Sequence, residues 1–272
     1  METITSANNS LLKLAASLRE KKHRDRTGLF VAEGIRLVEE AVQADWKVHA
    51  IIGTEKAYSQ ERVRNLLHMA AGGEHRLATV SDALYGKITE TEQPQGLMAV
   101  MEQQETGLET VTAVPKPLFM ILDGVQDPGN VGALIRTADA AGCHAIFLTG
   151  ACADVFSGKS LRSTMGSLFH IPIVRCRQTS ELIDWLQSRE ICLAVTSLEA
   201  AQPYFESDLT SPLAIVFGNE GAGVSAGMLA RAEKHLYIPI LGKAESLNVN
   251  AAAAVILYEA VRQRGMVANG IM

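Results

Sequence analysis

A β-branched segment that runs into a polar turn and then an alanine-rich helix constrains this chain more than any other feature. Residues 238–250 read IPILGKAESLNVN, and residues 251–254 are all alanine. The pattern predicts a strand, a glycine-containing turn and a helix with little side-chain bulk, which can approach a neighbour closely. In open α/β sheets, ligands bind beside the carboxyl ends of the strands. The segment therefore predicts a ligand site at the edge of such a sheet.

From residue 118 onward, apolar runs alternate with helical patterns. The runs are nearly continuous, which indicates strands that are covered on both faces and hence a mostly parallel sheet. The predicted strands are 119–122, 145–148, 171–174, 191–196, 213–217 and 235–240. The predicted helices are 130–141, 180–189, 225–232 and 248–264. The fold class of this part of the chain is therefore α/β.

The first part of the chain has the pattern of a smaller α/β domain. Its predicted helices are 8–24, 34–44 and 63–71, and its predicted strands are 29–31, 48–52 and 98–101. Residues 106–117 are polar and then β-branched, with Pro115 and Pro117 at their end, which is typical of a linker. We therefore expect one domain over residues 1–105 and a second over residues 118–272.

Composition and charge limit the classes of function. The net charge of −5 argues against a uniformly basic nucleic-acid-binding protein, although a local basic stripe can coexist with an acidic average. The cysteines Cys143, Cys152, Cys176 and Cys192 form no C-x-x-C pair, which favours reduced thiols over a metal site. The chain starts without a signal-peptide pattern, and no apolar stretch reaches membrane-spanning length. We expect a cytoplasmic protein without metal or membrane contact.

Two further strand–turn–helix junctions lie upstream. The first, residues 122–138, places Asn130 near the start of a helix and Arg136 six residues later. Taken alone, Asn130 is explained as a helix cap and Arg136 as a solvated helix residue. The second, residues 215–225, carries a G-x-x-G-x-G run that is also typical of a tight turn. Its spacing differs from the dinucleotide fingerprint, and Glu220 would face any phosphate, so a nicotinamide dinucleotide is not favoured.

All three junctions lie in one predicted sheet domain, which favours a common function. In order, they resemble the three motifs of the SpoU class of RNA 2'-O-ribose methyltransferases, over residues 118–264. The first part of the chain, with Asn8-Asn9-Ser10, Gly28-Leu29-Phe30 and Glu33-Gly34, resembles the L30e-like RNA substrate-binding domain that is often joined to them. The sequence is therefore identified as a member of this class.

The resemblance implies the fold, the methyl donor and the assembly. It implies a SPOUT-type α/β domain with a deep trefoil knot, a homodimer built around the knotted region, and S-adenosylmethionine as the donor. The residues implied to contact the donor, largely through backbone groups, are Gly218, Ile238 and Leu247, with Thr196 and Ser197 as further candidates. The catalytic residues implied by the resemblance are Asn130, Arg136, Glu220, Ser246 and Asn248.

The residue types suit the chemistry that the resemblance implies. A ribose 2'-hydroxyl attacks the methyl group of a sulfonium, which is a good leaving group, so positioning supplies much of the rate. A guanidinium stays protonated, so we expect Arg136 to hold the substrate phosphate and stabilise developing alkoxide charge. We expect Ser246 and Asn248 to fix the hydroxyl and their own loop. Glu220 is expected to orient Arg136 through a charge-assisted hydrogen bond.

Basic residues in two short segments are expected to contact RNA. They are Lys21, Lys22, Arg24, Arg26, Lys159 and Arg162. A solvated charged face is an equally good interpretation of the first segment. RNA is recognised through shape, stacking and 2'-hydroxyl contacts, so the pattern names few residues. Ribosomal RNA is the expected substrate, because relatives with this N-terminal domain commonly act on it.

Two alternatives to ribosomal RNA methylation remain open at this point. One is a transfer RNA 2'-O-methyltransferase, and the other is an RNA-binding ribosome-assembly factor that kept the fold and lost the activity. The five catalytic residues are all present, which argues against the second, and donor binding would separate a methyltransferase from an assembly factor, which need not bind the donor. The sequence leaves open the target nucleotide, the proton acceptor, the choice between naked RNA and a ribosomal particle, and any role in antibiotic resistance.

Overall fold

The chain folds into two compact units, each with its own sheet. The computed structural model describes residues 1–70, 73, 75–104, 106–197 and 201–265. The first unit comprises Met1–Gln104 and Asp154–His170, and the second comprises Glu105–Ala153 and Ile171–Met272. The ends of both predicted domains, residue 105 and residues 266–272, lie outside the described residues. Among the helices that are described, none is long and apolar enough to cross a membrane.

A five-stranded mixed sheet forms the centre of the first unit. Its strands are β1 (Glu2–Ile4), β2 (Leu29–Glu33), β3 (Val48–Thr54), β4 (Arg76–Val80) and β5 (Leu97–Glu102). They lie in the order β1-β4-β3-β5-β2, and β5 runs antiparallel to both of its neighbours. The sequence pattern missed β1 and β4. With three residues, β1 is too short for an alternating pattern to show.

Eleven α-helices are present in the described residues. They are α1 (Ser10–Ser17), α2 (Lys21–Thr27), α3 (Ile35–Gln43), α4 (Glu55–Tyr58), α5 (Glu61–Ala70), α6 (Asp82–Ile88), α7 (Pro128–Ala140), α8 (Gly158–Thr164), α9 (Thr179–Gln187), α10 (Ala226–Arg231) and α11 (Val249–Gln263). Most predicted helices agree with these to within two residues. Residue 71, the last of the predicted helix 63–71, lies outside the described residues.

The single helix predicted over residues 8–24 is two helices, α1 and α2, and Arg24 joins them. Its Nη1 donates to the carbonyl oxygens of Leu18 at 2.6 Å and Arg19 at 2.7 Å, just beyond the end of α1. Its Nε and Nη2 donate to Oδ2 of Asp154 at 3.0 and 2.7 Å. Because Arg24 is only 4% exposed, we treat it as a structural residue and leave it out of the RNA-contacting set.

Residues 154–170 belong to the first unit, whereas the predicted boundary placed them in the second. Their helix α8 packs beside the edge strand β2. The ring of Phe156 lies 4.8 Å from that of Phe30, and the ring of Phe169 lies 5.1 Å from that of Trp46. The segment therefore covers a sheet edge that would otherwise present unpaired backbone groups.

A seven-stranded sheet forms the centre of the second unit. Its strands are β6 (Leu118–Asp123), β7 (Ala145–Thr149), β8 (Ile173–Arg175), β9 (Cys192–Thr196), β10 (Gln202–Pro203), β11 (Leu213–Gly218) and β12 (Lys234–Tyr237). The order is β10-β12-β9-β11-β6-β7-β8, and every neighbouring pair is parallel. The predicted parallel sheet is therefore confirmed. The last strand ends before Pro239, which has no N–H to donate to a strand ladder.

The parallel order brings distant parts of the chain to one edge of the second sheet. Strands β6, β11, β9 and β12 are consecutive neighbours, and in a parallel sheet their carboxyl ends lie on the same side. The residues that follow these ends are Gly124, Asn219, Ser197 and Ile238. All three junctions singled out in the sequence therefore meet at this edge.

Candidate active site

The loops that follow β6 and β11 are tied together at the carboxyl edge. Asp123, the last residue of β6, accepts the hydroxyl of Thr149 at 2.9 Å and the N–H of Ser225 at 2.8 Å. Asn219 donates from Nδ2 to the carbonyl oxygen of Gly124 at 2.9 Å. Its Oδ1 accepts two N–H groups of its own loop, at 2.9 and 2.8 Å. These bonds fix the loop 219–225 against the start of the first junction.

Helix caps decide which asparagines are available to the site. Asp127, and not Asn130, caps α7: its Oδ1 accepts the N–H of Asn130 at 2.9 Å, and Pro128 occupies the first helical position. This arrangement leaves the side chain of Asn130 free to point towards other groups. Asn248 does cap α11, where its Oδ1 accepts the N–H of Asn250 at 2.9 Å. Asn248 therefore combines the cap with a place in the site.

Four polar side chains form one hydrogen-bonded cluster between α7, α11 and the loop after β11. Asn130 donates from Nδ2 to Oε1 of Glu220 at 2.8 Å. Its Oδ1 accepts Nδ2 of Asn250 at 2.8 Å and lies 3.5 Å from Nδ2 of Asn248. Three of the five catalytic residues implied by the resemblance therefore meet here, together with Asn250. We call these four residues the asparagine cluster.

Glu220 is held in its ionised form. Desolvation alone would raise the pKa of this carboxyl group. The hydrogen bond from Asn130 and backbone donors that include Gln126 outweigh desolvation, so the pKa lies below its usual value. Oε2 accepts the N–H of Gln126 at 3.4 Å. At neutral pH, Glu220 is therefore a hydrogen-bond acceptor and a weak base.

Arg136 and Ser246 lie outside the asparagine cluster. Arg136 is exposed on α7 and makes no hydrogen bond or ion pair within the described residues. The expected bond between Glu220 and Arg136 is absent, since Glu220 binds Asn130 and the backbone of Gln126 instead. Ser246 lies in the exposed loop before α11. Both side chains remain available to a substrate.

Four of the five residues expected at the methyl donor follow or end three neighbouring strands. Thr196 ends β9 and Ser197 follows it, Gly218 ends β11, and Ile238 follows β12. Leu247 lies just before α11, with 40% of its surface exposed. Their common edge is the one that carries the asparagine cluster.

Gly218 is required by the protein's own backbone. A Cβ at this position would overlap the backbone atoms of Gly223 and Val224. Asn219 and Gly223 exchange two backbone hydrogen bonds at 2.9 Å, which closes the loop over Gly218. The glycine therefore lets the loop fold back tightly on its own backbone.

The segment between β12 and α11 offers backbone groups to a ligand. Within the described part of the chain, the N–H groups of residues 240–247 donate no hydrogen bond. Residues 241–247 are exposed, and Leu247 supplies an apolar surface beside them. Free backbone donors next to an apolar side chain suit recognition of an adenine ring and an amino-acid group. The residues present therefore fit the expected S-adenosylmethionine.

The cysteines take no part in this site. All four are free. Burial raises the pKa of Cys143 to about 12 and that of Cys176 to about 11, so both remain protonated thiols. Across the described residues, no group of three or more His, Cys, Asp or Glu side chains is placed to hold a metal ion.

The basic residues on α2 are partly neutralised by carboxylates. Lys21 pairs with Asp25, and Lys22 pairs with Glu20 at 2.8 Å. Arg26 is exposed, and within the described residues its guanidinium contacts the ring of His23 alone, at 3.0 Å. The local charge excess on α2 is therefore smaller than its sequence suggests.

The second basic segment lies on α8, in the same unit. Lys159 and Arg162 are both exposed. Nη1 of Arg162 is 4.0 Å from Glu90, and the Nε of Arg19 lies 3.9 Å from the same carboxylate. Exposed ion pairs of this length contribute little to stability. Both guanidinium groups can therefore exchange this partner for a phosphate.

Three polar residues of the site were not predicted: Asn250, Asn219 and Asp123. Asn250 lies in the first turn of α11 and uses its amide to hold two other asparagines. The spacing Asn248-Val249-Asn250 was a usable signal, because the side chain of an N-cap residue turns back over the first turn of its helix, where Asn250 lies. Asp123 ends β6 and Asn219 follows β11. Only the order of the strands in the sheet shows that these two residues lie at the same edge.

Comparison with known proteins identifies both units. Residues 117–258 match the SpoU rRNA Methylase family, and residues 9–99 match the MRM3-like substrate binding domain. A 23S rRNA (guanosine(2553)-2'-O)-methyltransferase of Bacillus subtilis is 40% identical over 258 residues, which cover 95% of this chain and 98% of the relative. A 23S rRNA (uridine(2479)-2'-O)-methyltransferase of Streptomyces viridochromogenes is 34% identical over 266 residues, which cover 96% of this chain and 92% of the relative.

Solved structures agree with this result. The AdoMet-bound rRNA methyltransferase of Sinorhizobium meliloti superposes with a TM-score of 0.88 and 33% identity, over 96% of this chain and 97% of that one. The similarity extends over both units of the chain. The resemblance found in the sequence is therefore confirmed.

Proposed function

The chain belongs to the SpoU rRNA methylase family, and on that premise we propose that it transfers the methyl group of S-adenosylmethionine to a ribose 2'-hydroxyl of 23S ribosomal RNA. The observation that carries the proposal is the asparagine cluster, in which Asn130, Glu220 and Asn248 meet at the carboxyl edge of the parallel sheet. Donor-binding candidates from three strands lie at the same edge.

The choice of 23S ribosomal RNA rests on relatives that match both units. Two relatives similar to nearly the whole chain are named for this substrate, and the first unit matches a substrate-binding domain. A transfer RNA substrate has less support. An inactive assembly factor has no need of a hydrogen-bonded catalytic cluster. The presence of the asparagine cluster therefore favours an enzyme.

The residues at the edge have separate tasks in methyl transfer. Bound S-adenosylmethionine supplies an electrophilic methyl group on a sulfonium. Backbone groups of residues 239–247 and the loop closed over Gly218 hold the donor. Arg136, exposed and without a hydrogen-bond partner among the described residues, binds a phosphate of the substrate and stabilises charge on the 2'-oxygen. Asn248 and Ser246 hold that oxygen in line with the methyl group.

Glu220 acts through Asn130 and not through Arg136. Its carboxylate accepts Nδ2 of Asn130, and its lowered pKa makes it a poor acceptor for the proton of a ribose hydroxyl. We therefore assign it the orientation of the asparagine cluster. The proton of the hydroxyl passes to solvent or to a substrate oxygen.

A methyl-transfer assay with purified protein tests the proposed function. The protein is incubated with S-adenosylmethionine labelled in its methyl group and with 23S ribosomal RNA from cells that lack the gene. Digestion to nucleosides is expected to release the label in a single 2'-O-methylnucleoside. Label in a base, or in transfer RNA supplied in parallel but not in ribosomal RNA, would contradict the proposal.

We further propose that the first unit holds the RNA through exposed cations of α2 and α8, namely Lys21, Lys22, Arg26, Lys159 and Arg162. In this proposal the RNA-binding unit comprises residues 1–104 together with 154–170. Phosphate contacts release counterions, so each one adds to the salt dependence of binding.

Replacing Arg26, Lys159 and Arg162 by glutamine in one triple variant is expected to weaken RNA binding and to reduce its dependence on salt concentration. The slope of log Kd against log salt concentration should fall by about 2, because each lost phosphate contact removes roughly 0.7 to 0.9. Filter binding at several salt concentrations measures this slope. The control neutralises Lys47, Lys56 and Arg64, three cations of the same unit. If both triple variants gave the same slope of log Kd against log salt concentration, the RNA would not bind at α2 and α8.

The assembly and location form the last part of the proposal. The exposed face of α11, with Ala251 and the half-exposed Tyr258, suits packing against a second copy of the chain. We propose a homodimer formed on this face beside a trefoil knot, in the cytoplasm where ribosomal RNA is modified. Sedimentation at the 29.3 kDa of a single chain would argue against the dimer.

A further inference from the structure

We propose that Asn250 is a positioning residue for methyl transfer, whose amide sets the direction in which Asn130 and Asn248 present theirs. The inference rests on the proposed function and deepens it. The resemblance assigned no role to Asn250, and its role follows from the hydrogen bonds of the asparagine cluster.

Asn250 holds two neighbours with one amide group. Its Nδ2 donates to Oδ1 of Asn130 at 2.8 Å and to Oδ1 of Asn248 at 3.0 Å. An amide nitrogen carries two hydrogens, so both are used. Asn250 thereby links α7 to the cap of α11.

The carboxylate of Glu220 sets the orientation of these amide groups. An ionised carboxylate only accepts hydrogen bonds, so Asn130 must turn Nδ2 towards it. The Oδ1 of Asn130 then faces α11 and requires donors from there. Nδ2 of Asn250 is the nearer of the two it meets, at 2.8 Å against 3.5 Å for that of Asn248.

The observed orientation of the Asn250 amide leaves its oxygen in an energetically unfavourable place. The Oδ1 of Asn250 is buried and has no hydrogen-bond partner among the described residues, an unfavourable state for a polar atom. Rotating the amide by 180° would free this oxygen from its buried position. It would also set the oxygen against the Oδ1 atoms of Asn130 and Asn248, so the observed direction persists.

The fixed direction leaves a donor pointing at the substrate. Oδ1 of Asn248 already accepts two hydrogen bonds from the backbone and side chain of Asn250, which leaves Nδ2 as the group that can donate to a substrate. Its contact with Asn130 is long, at 3.5 Å. A fixed N–H donor stabilises an oxygen that gains negative charge during the reaction. If the amide of Asn248 were rotated by 180°, it would present its own oxygen and repel the negatively charged oxygen of the substrate.

The isosteric variant Asn250→Asp tests the inference. It replaces the double donor by an acceptor that faces two other acceptors. An acidic residue in the first turn of a helix favours the helix dipole, which offsets part of this repulsion, so the variant should stay folded with a melting temperature close to that of the wild type. We expect kcat on 23S ribosomal RNA to fall about 100-fold, with the Kd for S-adenosylmethionine and the KM for RNA unchanged within about threefold. Asn250→Ala should lose less, about tenfold, since it adds no repulsion.

The control is Asn65→Asp, the same chemical change on the exposed face of α5 in the other unit, which should leave kcat unchanged. Near-native kcat for Asn250→Asp would overturn the inference. So would a parallel loss of donor affinity and melting temperature, or an alanine variant as impaired as the aspartate one, because each indicates a packing role. A wild-type protein that methylates no RNA would instead refute the proposed function.

Discussion

Replacing Arg136 by alanine is expected to lower methyl transfer by about 100- to 1,000-fold, the range found when one charge-stabilising donor is removed from an active site. Arg136 is exposed and makes no internal hydrogen bond within the described residues, so folding should be unaffected. Its proposed partners are the substrate phosphate and the 2'-oxygen. The Kd for S-adenosylmethionine, measured by calorimetry, should therefore stay at the wild-type value.

Two further variants sharpen the test of Arg136. Arg136→Lys should recover little activity, because a point charge does not reproduce the planar fork of a guanidinium. Arg177→Ala removes another exposed arginine of the second unit and serves as the control. Near-native turnover in the lysine variant would show that charge alone suffices and would rule out the geometric role.

Adding a single methyl group at Gly218 is expected to lower the affinity for S-adenosylmethionine by about 10- to 100-fold. The Cβ of Gly218→Ala would overlap the backbone of Gly223 and Val224, and backbone cannot yield as a flexible side chain can. Overpacking of this kind costs about 1–3 kcal/mol, which corresponds to that change in affinity when it falls on the binding loop. Calorimetric titration with the donor measures it.

Gly227 provides the matched control. It lies in α10, and a Cβ added there meets no atom within 4 Å, so Gly227→Ala should keep wild-type donor affinity. If Gly218→Ala also kept it, the loop after β11 would not shape the donor site. Equal losses in both variants would point to a general effect on the second unit.

The second sheet could be predicted from the sequence because its strands are covered on both faces. Segments such as Leu213–Gly218 and Ala145–Thr149 are entirely buried, and continuous apolar runs of that kind favour a parallel sheet. The first sheet was predicted less completely. Its short edge strand β1 carries too few residues for a pattern, and α8, which packs beside its other edge strand, comes from a distant part of the chain.

The placement of residues 154–170 shows what periodicity cannot predict. Their apolar residues, including Phe156 and Phe169, indicate burial but not the partner, which lies more than a hundred residues earlier in Phe30 and Trp46. For the same reason the sequence offered Arg24 as an RNA contact, although Asp154 binds it in the folded protein. A fragment starting after the linker would carry this segment without the strand that it covers.

The site was predicted as a set of residues, but its hydrogen bonds were not. Asn130, Glu220 and Asn248 came from the resemblance, and the structure brings them together. The partner of Glu220 is Asn130, because the true cap of α7 is Asp127 and leaves that asparagine free. Which amide binds which depends on the crossing of α7 and α11, and a linear pattern contains no information on that crossing.

Mapping of ribose methylation in cells tests the central claim most directly. All stable RNAs are compared between cells that carry the gene, cells that lack it, and cells that carry Arg136→Ala. We expect a single 2'-O-methylated nucleotide of 23S ribosomal RNA to be present only with the wild-type gene. Identical maps in all three strains, or a methyl group lost from transfer RNA and not from 23S ribosomal RNA, would contradict the account.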